Sequence, residues 1–144
     1  VVDLAALGPR TVTVDCDVIQ ADGGTRSASI TGAFVALCLA LEGLRRRGAL
    51  TASPVRDQVA AVSVGLLGER LLLDLDYAED SQARVDANFV GTGLGDLVEV
   101  QLTGEGGPFP AAQLNRMLEL AQLGIRRLSR IQAEVLTPWL PLPW

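Results

Sequence analysis

Residues 27–41 form a run without a single charge, and this run constrains the fold more than any other segment. It is shorter than the roughly twenty apolar residues that cross a bilayer, and serine, threonine and glycine interrupt it. Three arginines follow at 45–47, where cations stabilise a helix C-terminus, and Gly48 suits the left-handed cap. We therefore predict a core helix over about 27–47, arginines that cap it in solvent, and no association with a membrane.

The segments around this helix predict one sheet. Residues 11–19 alternate between apolar and polar side chains, which is typical of a strand. Apolar runs at 59–67 and 71–76 flank Gly68 and Glu69, which predicts a hairpin. A second strand pair is predicted near 88–92 and 97–103. The order of elements favours an α/β or α+β fold with one mixed sheet packed with helices.

Both ends of the chain are predicted to contain helical residues. The first eight residues resemble the last turns of a helix that ends at Gly8. A long helix begins near Pro110, and a tail rich in proline and tryptophan follows at 137–144. The predicted apolar stripe of the long helix consists of Leu114, Leu118, Ala121, Ile125, Leu128, Ile131 and Val135.

Charge and composition exclude several functions. The chain has no histidine, and all twelve of its basic residues are arginines, so His-based acid–base catalysis, the Ser-His-Asp triad and most zinc sites are excluded. Seventeen acidic residues leave a net charge of −5, which excludes a diffuse basic coat for nucleic acid. Cys16 and Cys38 are far apart and predict two buried thiols in a reducing compartment. With no secretory signal recognisable, we expect a cytoplasmic protein.

The junction before the core helix is a candidate anion site. Gly23 and Gly24 allow a ligand to approach the backbone, and the free N–H groups at a helix start attract anions. Thr25 adds a hydroxyl and Arg26 a planar cation that can bind two phosphate oxygens. The alternative is an ordinary strand-to-helix turn, capped by Thr25 or Ser27.

Carboxylates gather around the end of the third predicted strand. Asp74 and Asp76 are predicted on one face of that strand, and Asp80 and Asp86 lie beyond it, six residues apart. Grouped carboxylates can hold Mg²⁺, or one of them can act as a general acid. A solvated acidic loop is the alternative interpretation.

These motifs, with several others, closely resemble the ribonuclease PH family of phosphate-dependent exoribonucleases. The resemblance covers nearly the whole chain except the tail at 137–144. The matching segments, in the order in which the family has them, are 16–28, 30–33, 74–81, 86–88, 98–101, 104–106 and 108–109.

The resemblance implies a ribosomal protein S5 domain 2-like fold in which residues 1–136 are the C-terminal portion of a single domain and the N-terminal part is missing. It implies phosphate-binding roles for Gly24, Thr25 and Arg26, and catalytic and magnesium-binding roles for Asp80 and Asp86. The implied activity is phosphate-dependent 3′→5′ exoribonuclease (nucleotidyltransferase) trimming of tRNA 3′ ends, with inorganic phosphate as co-substrate, Mg²⁺ as cofactor and nucleoside diphosphates as products. The implied assembly is a hexamer built as a trimer of dimers.

Two positions depart from the family pattern. Ser27 stands where the family usually has threonine, and Leu102 replaces a usual glycine, which puts the local packing in doubt. Two alternatives to the enzyme remain. One is a non-catalytic, ring-forming, RNA-binding relative, and the other is an inactive fragment that lacks the N-terminal half of the site.

Overall fold

A computed structural model describes residues 1–140 of the chain. One four-stranded antiparallel sheet, with strand order β2-β1-β3-β4, separates two long helices. The elements are α1 (Leu4–Leu7), α2 (Thr25–Arg46), β1 (Val59–Leu67), β2 (Arg70–Leu73), α3 (Tyr77–Asp80), β3 (Val85–Thr92), β4 (Leu97–Thr103) and α4 (Ala111–Leu136). The α+β class, both hairpins and both long helices are confirmed.

One face of the sheet forms a dry core with α4. Alternate residues of β1 and β3 point to this face because strand side chains have a period of two. Phe89, fully buried, pairs with Val62 across the two central strands. The remaining core side chains are Ala60, Val64, Leu66, Val85, Ala87, Met117, Ala121 and Ile125. Leu102 packs at the margin of this core, so the leucine is accommodated where the family usually has glycine.

The other face carries α2. The helix α2 buries Phe34, Cys38 and Leu41 in a second apolar cluster, which also includes Leu140. Burial raises the pKa of the Cys38 thiol to about 12. Of the helices in residues 1–140, α2 alone has the length and hydropathy of a membrane span. Its buried side chains nevertheless pack within this domain, as those of a core helix do.

The arginines at the end of α2 have a structural role. Glu42 accepts hydrogen bonds from Arg45 at 2.7 and 2.8 Å and from Arg46 at 2.8 Å. These bonds lower the pKa of the Glu42 carboxyl to about 2. Arg46 also donates to the backbone oxygen of Trp139, which holds the start of the C-terminal tail. The arginine run is therefore partly engaged by a buried carboxylate, and not simply solvated as predicted. Residues 141–144 of the predicted tail lie outside the described residues.

Side chains cover the edge of β1 that β2 does not reach. The Thr31 hydroxyl accepts from the N–H of Ala61 at 3.0 Å and donates to its carbonyl at 3.3 Å. The Gln132 amide of α4 donates to the carbonyls of Thr31 and Val59, both at 3.0 Å. This edge is thus satisfied without another strand, and α2 and α4 are both tied to it.

The predicted strand at 11–19 is wrong for this structure, and with it the mixed character of the sheet. The segment makes no strand ladder with any part of residues 1–140. Period-two alternation is not sufficient without a neighbouring strand, so Val14 and Val18 are about half exposed. Cys16 is exposed as well, which corrects the prediction of two buried thiols.

The burial of α4 differs from the predicted stripe. Leu114, Ile131 and Val135 are exposed, whereas Gly124, Ser129 and Gln132 are buried. The hydrophobic pattern alone does not predict that these positions are buried. Small side chains are required where α4 approaches β1 closely, and the edge of β1 requires an amide that donates hydrogen bonds. At the N-terminus, the predicted helix end is confirmed: α1 is closed at Gly8, and Asp3 caps its start.

Candidate functional site

The first turn of α2 is left open to a ligand. Gly24 is the N-cap residue and has a left-handed backbone (φ 69°), a conformation that other residues rarely adopt. Within the described residues, no side chain makes a capping hydrogen bond there. Because the first N–H groups of a helix lack intrahelical partners, the amides that follow Gly24 are available to an anion.

The side chains that could have capped α2 have other partners, so the alternative of an ordinary capped turn is wrong. The Thr25 hydroxyl donates to the carbonyl of Asp22 at 2.9 Å. The Ser27 hydroxyl donates to the side-chain oxygen of Asn88 on β3 at 3.1 Å. Both bonds fix the orientation of the turn and leave its amides free.

Arg26 reaches across the sheet to β4. Its guanidinium pairs with Glu99 at 2.9 Å, and both side chains are about half exposed. A guanidinium has five N–H donors, so this single contact leaves others for a phosphate. Glu99 therefore holds the cation at the open end of α2.

Asp80 and Asp86 are close enough to influence each other. Asp80 is the last residue of α3, and Asp86 is the second residue of β3. Burial raises the pKa of Asp86, and the negative charges of Asp80 and Glu105 raise it further. The backbone N–H of Ala87 acts in the opposite direction. A carboxyl group that resists ionisation, beside a second carboxylate, suits either proton transfer or cation binding.

Asp74 and Asp76 do not share a strand face, which corrects that prediction. The strand β2 ends at Leu73, and Asp74 adopts a positive φ of 62°. Its N–H donates to the carbonyl of Ser63 at 2.8 Å. Asp76 is the N-cap of α3, where it forms a capping box with Glu79. These two acids turn the chain from β2 into α3, so they orient the helix that carries Asp80.

The sheet register brings the two groups of candidate residues to one face. Asp86 and Asn88 are two residues apart on β3, so their side chains point to the same side. Asn88 bonds to Ser27 at the start of α2, and this face is opposite the one that carries Phe89. Glu99, which pairs with Arg26, is on the adjacent strand β4. The start of α2 and the Asp80–Asp86 pair therefore border the same polar face.

A cavity of about 550 Å³ opens beside the junction. Its wall runs from Gly23, Gly24 and Ser27 to Asp74 and to Arg127 of α4. Open space, and not packed side chains, therefore adjoins the first turn of α2.

The carboxylates fit a magnesium ion in part. Among residues 1–140, no three acidic or cysteine side chains are grouped so that they could enclose a metal. Mg²⁺ usually takes only one or two protein carboxylates and completes its shell with water and substrate phosphates. The charge repulsion within the Asp80–Asp86 pair is of the kind that a bound cation relieves.

Several residues at this site were not singled out from the sequence. Asn88, Glu99 and Glu105 fell within matching motifs, but nothing local to them reveals their partners. Asp22 belongs to the turn before α2, and the sequence does not show that it contacts Tyr77, 55 positions away. Its contacts appear only once the fold brings distant segments together.

Comparison with known proteins gives matches of three kinds: a family model, a protein of known sequence and a solved structure. Residues 57–124 match the 3′ exoribonuclease family, domain 2. The chain is 59% identical over 136 residues to ribonuclease PH of Moorella thermoacetica, covering 94% of this chain and 54% of that protein. The fold is similar to that of rice (Oryza sativa) Rrp46, with a TM-score of 0.62 at 19% identity, covering 81% of this chain and 49% of the other. The chain thus spans about half the length of the relatives that it matches.

Proposed function

We propose, from its similarity to ribonuclease PH, that this chain is the C-terminal portion of a phosphate-dependent 3′→5′ exoribonuclease. Its substrate would be RNA with a free 3′ end, in particular the 3′ end of a tRNA. Inorganic phosphate would be the co-substrate and nucleoside diphosphates the products. The proposed enzyme is a nucleotidyltransferase, and we expect it in the cytoplasm.

The observation that carries this proposal is the uncapped first turn of α2. Gly24 presents free amides, while Thr25 and Arg26 provide a hydroxyl and a cation beside them. This set of groups suits a dianion such as inorganic phosphate, since the amides and the guanidinium donate hydrogen bonds, and the Thr25 hydroxyl can donate once it turns from the Asp22 carbonyl to the ligand. A site that binds the attacking phosphate distinguishes phosphorolysis from hydrolysis.

In the proposed reaction, an oxygen of the bound phosphate attacks the last phosphodiester of the RNA. A bond forms between that oxygen and phosphorus, and the bond from phosphorus to the 3′ oxygen of the preceding nucleotide breaks. The products are a nucleoside diphosphate and an RNA one nucleotide shorter. Arg26 neutralises part of the repulsion between the two anions, and the amides after Gly24 orient the attacking group.

Asp80 and Asp86 have the acidic roles in this proposal. The raised pKa of Asp86 favours a protonated carboxyl that can donate to the departing 3′ oxygen. Alternatively, the two carboxylates hold Mg²⁺, which supplies charge neutralisation when it is bound. Asp80 and Asp86 fit both roles, and Mg²⁺ binding by variants of the two residues distinguishes between them.

We also propose that the protein assembles as a hexamer, a trimer of dimers, as the family resemblance implies. The net charge of −5 gives this half of the protein little attraction for RNA. Much of the RNA-binding surface would therefore belong to the rest of the protein and to neighbouring subunits.

The test supplies the full-length protein with an RNA that ends in a labelled tRNA acceptor sequence, with and without inorganic phosphate. We expect release of labelled nucleoside diphosphate that requires phosphate and Mg²⁺. Release of monophosphate, or cleavage indifferent to phosphate, would contradict phosphorolysis. RNA binding in a ring without any cleavage would identify a non-catalytic relative.

Variants assign the residues in the same assay. Arg26→Ala should raise the KM for phosphate, whereas Asp80→Asn should abolish turnover and leave phosphate binding intact. If Asp80→Asn and Asp86→Asn abolish Mg²⁺ binding measured by calorimetry, the pair is the metal site. If they leave it unchanged, the general-acid role is favoured.

A further inference from the structure

Asp22 lies between the two halves of the proposed active site. One oxygen of its carboxylate accepts hydrogen bonds from the backbone N–H of Gly23 at 2.8 Å and of Tyr77 at 2.7 Å. Tyr77 is the first residue of α3, whose last residue is Asp80. A single oxygen thus joins the loop that leads into α2 to the helix that carries an acidic site residue.

The backbone carbonyl of Asp22 contacts the other half. It accepts the hydrogen bond from the Thr25 hydroxyl, one of the proposed phosphate ligands. Asp22 therefore contacts the phosphate-binding turn through its carbonyl and α3 through its carboxylate. Within the described residues, the bond from Tyr77 to Asp22 is the only hydrogen bond between residues 22–26 and α3.

The two segments joined by Asp22 are in close contact. A Cβ atom at Gly23 would lie 2.1 Å from the carbonyl oxygen of Leu75 and 2.7 Å from the carbonyl carbon of Asp76. Such distances are far below van der Waals contact, so only glycine allows this approach. Leu75 is itself almost fully buried, which fixes the segment against which Gly23 packs.

The bonds to Asp22 favour its charged form. The N–H groups of Tyr77 and Gly23 lower the pKa of the Asp22 carboxyl. The carboxylate accordingly remains an acceptor throughout the neutral pH range, and its charge lies at the N-terminal end of α3, where a negative charge is favourable.

We propose that Asp22 is a positioning residue that sets the distance between the phosphate-binding turn at Gly24–Arg26 and the acidic residue Asp80. The inference rests on the proposed function, because the distance matters only if both groups act on one reaction. Removing the carboxylate breaks the hydrogen bond that ties the start of α3 to the turn and leaves their relative position to packing alone. A displacement of about 1 Å between reacting groups can reduce turnover about 10²-fold.

The test compares Asp22→Ala and Asp22→Asn in the full-length protein, at a temperature where circular dichroism shows each variant fully folded. Asp22→Ala should lower kcat about 10²-fold and raise the KM for phosphate. Asp22→Asn keeps an oxygen that can accept both N–H groups, so it should recover most of the loss.

Asp3→Ala is the matched control. Asp3 also holds two backbone N–H groups at the start of a four-residue helix, but that helix is α1, which contributes nothing to the proposed site. We expect this variant to lose stability and to retain the kcat and the KM for phosphate of the wild type.

The possible results separate the two proposals. If the wild type releases diphosphates and folded Asp22→Ala has unchanged kcat and KM, the positioning role is overturned while the enzyme function stands. Equal losses in Asp22→Ala and Asp22→Asn would also overturn it, since the acceptor oxygen would then be irrelevant. A wild type without phosphate-dependent release overturns the function, and the inference falls with it.

Discussion

The two faces of the sheet differ in polarity beside the proposed site, although the same strands form both. On the α4 face, β1 and β3 contribute alanine, valine, leucine and phenylalanine, all of them buried. On the α2 face, the same strands contribute Ser63, Gly65, Asp86 and Asn88 beside the proposed site, and the buried Ala61 and Val90 farther along. Alternate residues of a strand point to opposite sides. Residues that pack in the core therefore alternate along one strand with residues that border the proposed site. Substitutions of neighbouring residues should therefore have very different consequences.

The largest effect is expected from Phe89→Ala on the α4 face. Phe89 is fully buried in the centre of the core, and its removal leaves a cavity. We expect the free energy of unfolding to fall by about 3–5 kcal/mol, measured by urea denaturation. The kcat of the fraction that remains folded should be unchanged. A loss below about 1 kcal/mol would mean that this face is not the principal core.

The opposite pattern is expected from Asp86→Asn, three residues away on the α2 face. Under the proposed function, turnover should fall at least about 10²-fold, measured as diphosphate release. Stability should rise, because the raised pKa of Asp86 means that its ionised form is unfavourable in the folded state.

The pH dependence of stability tests this prediction for Asp86. The destabilisation by the ionised carboxylate is fully present above the raised pKa and is lost as the pH falls from that pKa to below the ordinary value of 3.8. The advantage of Asp86→Asn over the wild type, measured by thermal unfolding, should therefore be largest at neutral pH and fade on acidification. A variant that is less stable than the wild type at neutral pH would contradict the comparison of the two faces.

A smaller effect is expected from Leu102→Gly, which introduces the residue that the family usually has. Leu102 packs at the margin of the α4-side core, and glycine is unfavourable within a strand. We expect a loss of about 2 kcal/mol in the free energy of unfolding. Val98→Gly is the control, because Val98 is 61% exposed on the same strand. Val98→Gly should lose only the part of the free energy of unfolding that comes from placing glycine within a strand. Equal losses in the two variants would show that the Leu102 side chain contributes no packing.

The sequence predicts those parts of the fold that local signals determine. The hairpin at Gly68 and the helices that begin near Ser27 and Pro110 follow from turn residues and periodicity, and the structure contains them. The segment at 11–19 has the period of a strand, but pairing requires a neighbour that periodicity does not supply. The buried positions of α4 were partly missed, because contact with the sheet selects Gly124 and Gln132 for size and hydrogen bonding.

At the candidate site, too, the sequence predicts local features and does not predict contacts between distant segments. The glycines and the residue types of Thr25 and Arg26 predicted an anion site, and the uncapped helix start supports it. The partner of Arg26 on β4 and the bond from Tyr77 to Asp22 join residues that are 73 and 55 positions apart. Contacts over such separations depend on the tertiary fold, so no local pattern could reveal them.

The smallest effect is expected from Ser27→Ala, which probes the polar contact between α2 and the sheet. Ser27 is buried, and its hydroxyl donates to Asn88, so the substitution leaves an amide oxygen without this donor. We expect a loss of about 1 kcal/mol, measured by urea denaturation, and recovery in Ser27→Thr, which restores the hydroxyl. Ser29→Ala is the control in the same helix, because within residues 1–140 the Ser29 hydroxyl donates only to the helix carbonyl of Thr25. Alanine favours helices, so this variant should be at least as stable as the wild type. If Ser27→Ala matched Ser29→Ala, the α2 face would be held by packing alone, and its polar residues would be free to serve the reaction.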